Sequence, residues 1–243
     1  MPAPTYRDLT VLSARAMLSK AFVTRGLPVL VLLALMAAPI MNGMDVYGTR
    51  TVPILLLLFP VLAYFISRFV VTWTRFLIHP EGDFEGIFRP VLSRVEWKVY
   101  GTLCLFQALT RLDTFIIRLA HLGGIEVWIV KVAGLCLSSY LIARLVYVIP
   151  AAVMGDKPHF ATSWRLSANT WSVLVGAGGT FLAPLYVLFN GGLFLGVILG
   201  FGAPVLSLSL AYTFALGALT TLAAVGYGLE TGRLHPPAVS PRM

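Results

Sequence analysis

The chain has 243 residues, of which 58% are hydrophobic and only 12% charged. Soluble domains carry about 25% charged residues, so an ordinary water-soluble enzyme is excluded. The net charge of +8, from 18 Lys+Arg against 10 Asp+Glu, sits mostly on residues that flank apolar runs. It reads as membrane topology and contact with anionic head groups, and nucleic acid is not an expected partner.

Residues 1–25 form a basic amphipathic N-terminal segment carrying Arg7, Arg15, Lys20 and Arg25. Val11, Ala14, Leu18, Ala21 and Phe22 fall at helical spacing and predict a helix lying in the membrane interface. The apolar run that follows is long, contains Pro39 and lacks a small-residue cleavage site, so it is expected to stay as a first span.

Residues 26–229 predict one transmembrane helical domain, with spans near 26–44, 52–72, 98–119, 125–149, 170–192 and 204–228. The fold class is all-α, a polytopic transmembrane bundle of about six spans with the interfacial helix ahead of it. A polar link over 73–98 holds Pro80, Gly82, Gly86 and Pro90, which mark turns. The Gly-rich segment 190–204 is either a continuation of the fifth helix or a re-entrant piece. Residues 230–243 form a short tail. Gly176–Gly179 and Gly191–Gly196 point to close helix packing.

Orientation follows from the basic residues outside the spans. The N-terminal segment, Arg75, Arg89, Arg94 and Lys98 of the second link, Lys157 and Arg165 of the fourth, and Arg233 and Arg242 of the tail share one face, against Arg50 on the other. Both termini are therefore expected in the cytoplasm.

Ionisable residues inside spans are where function is sought first, because each costs about 2.5–3.5 kcal/mol at a helix centre. Arg111, Asp113, Lys131 and Arg144 are the candidates, and Arg68 and Arg118 read as snorkelling residues near span ends. Asp113 is too short to snorkel and calls for a cation from another span, with Lys131 and Arg144 available. His121 and Glu126 form either an acid/base pair or a plain polar turn. The four histidines have no metal-binding spacing, the acidic run 81–85 lacks the ligands of a calcium loop, and Cys104 and Cys136 read as small hydrophobes inside spans. No cofactor and no catalytic residue is predicted.

The most distinctive stretch is 144–174. Pro150 ends or kinks one helix, and Ser163, Trp164, Arg165, Leu166, Ser167 and Trp171 open the next, with tryptophans suited to the head-group belt. These positions resemble a bacterial six-span family that includes the membrane domain found beside glycerophosphodiester phosphodiesterases, together with its YciC-like relatives. In that family a Pro-containing span end is followed by S-[W/F]-x-L-[S/T] and an aromatic. The basic lead-in and the closing AAVGYGLETGR (223–233) are similar as well. An acid that often follows the Pro segment in the family stands here later, as Asp156. The resemblance implies a membrane-embedded helical domain linked to lipids; no phosphodiesterase domain follows, so no phosphodiester hydrolysis is implied.

The residues leave three functions open. One is a non-enzymatic accessory, scaffold or lipid-associated module, with membrane lipids and another membrane protein or a second copy as partners. Another is a small transporter using Asp113 and Arg144, with Asn190 and the broken 190–204 region as a midplane site. The third is a lipid enzyme built on Asp113, His121 and Glu126.

Overall fold

The computed structural model describes residues 4–35, 52–79, 93–110, 112–121, 123–156, 159–199 and 202–234. These residues form helices with no strand among them. Among the described residues three helical stretches are long and apolar enough to cross a membrane, Val61–Ile78, Ile125–Met154 and Ser209–Glu230, and the bent pair Tyr6–Met17 with Phe22–Leu35 makes up to four.

Helix α1, Tyr6–Met17, starts on a capping box. The Thr5 hydroxyl accepts from the Asp8 N–H (3.2 Å) and the Asp8 carboxylate accepts from the Thr5 N–H (3.2 Å), which satisfies two orphan donors at once. At its far end Ser19 donates to the Ala16 carbonyl (2.7 Å) and accepts from the Phe22 N–H (3.2 Å), capping α2, Phe22–Leu35. The two axes meet at 58°.

This break changes the outcome for the N-terminal stripe. Leu9 and Ser13 are the buried face of α1, which packs on the last two helices, while Leu18 is 80% exposed. The predicted stripe therefore does not run along one continuous helix face. The helix stops at Met17, so Leu18, Ala21 and Phe22 do not continue the register of Val11 and Ala14.

Helix α3 spans Val52–Ile78, α4 Arg94–Thr110, α5 Leu112–Leu119 and α6 Ile125–Leu145. Within the predicted span 98–119 the described residues are helical over 98–110 and 112–119, and residue 111 lies outside them. The apolar character of α6 runs on through a break at Val146–Tyr147 into α7, Val148–Met154. Helix α8 spans His159–Leu166, α9 Trp171–Leu199 and α10 Gly202–Glu230. The described backbone therefore continues helix through 190–199, where a re-entrant piece was the alternative. The six spans expected are not reached among the described residues. Residues 45–51 and the acidic run 81–85 lie outside them.

Helix α10 is the organising element, in contact with α9, α3, α1 and α7. One core cluster joins Leu9, Tyr147, Ala151, Leu174, Leu222 and Tyr227, and a second joins Phe22, Leu30, Phe69, Trp73, Ile149 and Val153. Helix α7 supplies Ala151 to the first and Ile149 and Val153 to the second, so it holds the two together. Gly226 lets this happen: a Cβ there would lie 2.7 Å from the Tyr147 hydroxyl and 3.2 Å from Leu9. Trp73 adds a polar stitch, its indole N–H donating to the Thr221 hydroxyl (2.8 Å) with both side chains buried. In contrast, Ile125, Trp128, Ile129, Val132 and Leu135 of α6 are all at least 60% exposed, an apolar face suited to lipid.

Candidate functional site

The residues singled out in 144–174 come together around the end of α6. Pro150 is buried in α7 and has no N–H to offer the preceding turn. The helix breaks just before it, and side chains take over the exposed backbone. The hydroxyls of Ser163 and Ser167 each reach the Arg144 carbonyl at 2.9 Å, and that of Ser167 is shared with the Ser163 carbonyl at 2.8 Å. Both serines are fully buried. Ser163 of α8 and Ser167 just beyond its end thus form a C-terminal cap for α6.

The same turn places the Arg144 side chain. Its guanidinium carbon lies 4.3 Å from the Trp164 ring centroid. Tyr140, one turn earlier, meets Trp164 and Trp171 edge-on at 6.3 and 5.2 Å. Leu166 packs against the first core cluster and fixes the roll of α8. Between α6 and α8 lies an open groove of about 600 Å³, walled by Leu145, Phe160 and Ala161 and bordered by Arg144, Trp164 and Arg165.

Arg144 is 7% exposed, and its Nε has no hydrogen-bond partner among the described residues. The ion pairs formed by described residues, Arg68–Glu96 and Arg233–Asp156, do not include it. Burying a cation costs several kcal/mol after relaxation. The indole face returns about 0.5–2 kcal/mol, and the carbonyl end of α6 about 0.3–1 kcal/mol. Further cations stand at the same end: Arg165 is exposed beside the groove, and Lys98 Nζ stands 3.4 Å from His159 Nε2 at the start of α8.

A second cluster closes α7 on α10. Asp156 receives Arg233 at 3.0 Å and the Tyr227 hydroxyl, and Tyr227 packs edge-on to Tyr147 at 6.0 Å. The late acid and the closing AAVGYGLETGR segment, separate in sequence, are therefore partners in space.

A third cluster carries residues that the sequence reading missed or misread. Arg68 does not snorkel: it is 6% exposed, stacks 5.4 Å from the Tyr64 ring and pairs with Glu96 at 2.9 Å. Glu96 is buried too, and it also completes a capping box with Ser93 at the start of α4. The signal was present as S-R-V-E at 93–96, an N-terminal box motif, inside what read as a polar link.

The remaining candidates do not converge. Asp113 packs against α6 so closely that a Cβ on Gly134 would lie 2.6 Å from its own Cβ. Arg144 stands ten residues further along, about 15 Å at 1.5 Å per residue. Lys131 is exposed and stacks 5.5 Å from Trp128. Arg111 and the side chain of Asn190 lie outside the described residues. His121 and Glu126 are exposed on the turn before and the first turn of α6. Cys104 and Cys136 are free and exposed. Among the described residues no group of three or more His, Cys, Asp or Glu could hold a metal ion.

Fold and site together define an all-helical protein with several helices apolar enough to cross a membrane, braced by polar side chains that join α3 to α4, α6 to α8 and α7 to α10. Compared with known proteins, the chain matches no family model, no curated protein and no solved structure.

Proposed function

We propose that this chain is a non-enzymatic integral membrane module of the bacterial inner membrane, associated with lipid and acting as an accessory or scaffold subunit. The observation that carries this reading is the use made of its polar side chains. Ser163 and Ser167 close a helix end, Asp156 ties Tyr227 and Arg233, and Glu96 neutralises Arg68. Chemistry needs polar groups that converge on a shared space, and these are spent on holding helices together. The outer apolar face of α6 gives the module its lipid contact.

The distribution of basic residues supports a cytoplasmic side for the braced corners and both termini. The pairing of Asp156 with the 223–233 segment supports kinship with the membrane domain beside glycerophosphodiester phosphodiesterases and its YciC-like relatives, since the shared stretches act as one unit. The test is extraction of the full chain from its native membrane into nanodiscs, followed by mass spectrometry of what accompanies it. Phospholipid at fixed stoichiometry, with or without a protein partner, is the expected result. Reconstituted chain that catalyses solute flux, lost in Asp113→Asn with its thermal midpoint intact, would overturn the reading in favour of the transporter.

A further inference from the structure

The lipid-associated reading above acquires a site in the groove between α6 and α8. We infer that this groove binds the phosphate of an anionic phospholipid head group, with Arg144 as the buried counter-charge and Arg165 as the second cation at its rim. Three independent observations meet there. Arg144 is more than nine-tenths buried, with no carboxylate beside it among the described residues and no hydrogen-bond partner for its Nε. Its carbonyl is already satisfied by Ser163 and Ser167, so its side chain is not needed to cap its own helix. The indole of Trp164 holds the guanidinium in place at 4.3 Å on the border of the groove.

A guanidinium fixed in this way offers paired N–H donors that match the oxygens of a phosphate, and it is always charged. Arg165, exposed on the next residue of α8 after Trp164, contributes attraction at the rim of the groove. Phosphate chemistry is shared by lipid head groups and by soluble phosphates. The walls decide between them: Leu145, Phe160 and Ala161 present apolar surface, which suits the glycerol and first acyl carbons of a lipid. Trp164, Trp171 and Tyr140 are the ring types that concentrate at head-group level.

Native mass spectrometry of the full chain in mild detergent tests this, with phosphatidylglycerol and phosphatidylcholine titrated in turn. The wild type should retain phosphatidylglycerol roughly tenfold better or more, the yield of a charge-assisted contact. Arg144→Gln should abolish the preference and Arg165→Gln should reduce it; the second variant removes an exposed side chain, so its loss cannot be misfolding. An unchanged preference in both variants overturns the site. Displacement of the lipid by excess inorganic phosphate overturns the lipid as its source. Lipid bound with no anionic preference overturns this site and leaves the lipid-associated reading standing, whereas retention of neither lipid removes both.

Discussion

Replacing Glu96 with Ala acts on two structural roles at once, and the structure separates their sizes. Glu96 and Arg68 face each other at 2.9 Å with side chains only 6% and 7% exposed. Removing one member of a buried pair costs about 3–5 kcal/mol, because the other charge stays buried. Glu96 is also the third-position partner of Ser93 in the capping box at the start of α4, worth about 1 kcal/mol. Glu96→Ala should therefore destabilise by about 4–6 kcal/mol, and Glu96→Gln, which can still accept from the Ser93 N–H, by about 1 kcal/mol less. At about 2–4 °C per kcal/mol for a chain of this size, Glu96→Ala lowers the thermal midpoint by about 10–20 °C. The assay is fluorescence-detected unfolding of the purified chain in detergent. The double change Arg68→Met with Glu96→Leu should recover most of the loss, since two apolar residues leave no buried charge. A midpoint for Glu96→Ala within about 2 °C of wild type, less than about 1 kcal/mol, would refute the assignment of Glu96 as the counter-charge of Arg68.

Three further outcomes follow from the same geometry. Ser163→Ala and Ser167→Ala should each be mild because either hydroxyl can serve the Arg144 carbonyl; the double change leaves that carbonyl unpaired and costs about 1–3 kcal/mol, so simple additivity of the midpoints would count against the shared cap. Gly226→Leu drives a side chain into Tyr147 and Leu9 and should cost about 1–3 kcal/mol or more, with partial recovery in combination with Tyr147→Phe; a neutral midpoint would mean that α7 and α10 are not in contact there. Asp156→Ala should cost about 1–2 kcal/mol through the lost Arg233 and Tyr227 contacts, and adding Arg233→Ala should cost little more, as a double-mutant cycle would show.

How much of this was legible depended on which force set each feature. The helical membrane class followed from the long uncharged run 173–229, and its last predicted span, 204–228, coincides with α10, Gly202–Glu230. The 144–174 segment was also marked by its residues: Ser163, Trp164 and Arg165 gather around Arg144. Hydropathy alone could not place Arg68. A cation near a span end looks the same whether it reaches water or a buried Glu96, and the pairing requires α4 to lie against α3. The stripe on α1 failed for a local reason, since Ser19 ends one helix and starts another and so resets the register.

The most direct test of the central claim, that this is a lipid-associated membrane module, is the thermal midpoint of the full chain in detergent titrated with phospholipid. A ligand that binds only the folded state stabilises by about 2.7 kcal/mol at a hundredfold excess over its dissociation constant. The account predicts a saturable rise of several degrees, larger with anionic lipid. A midpoint unmoved by any phospholipid would contradict it.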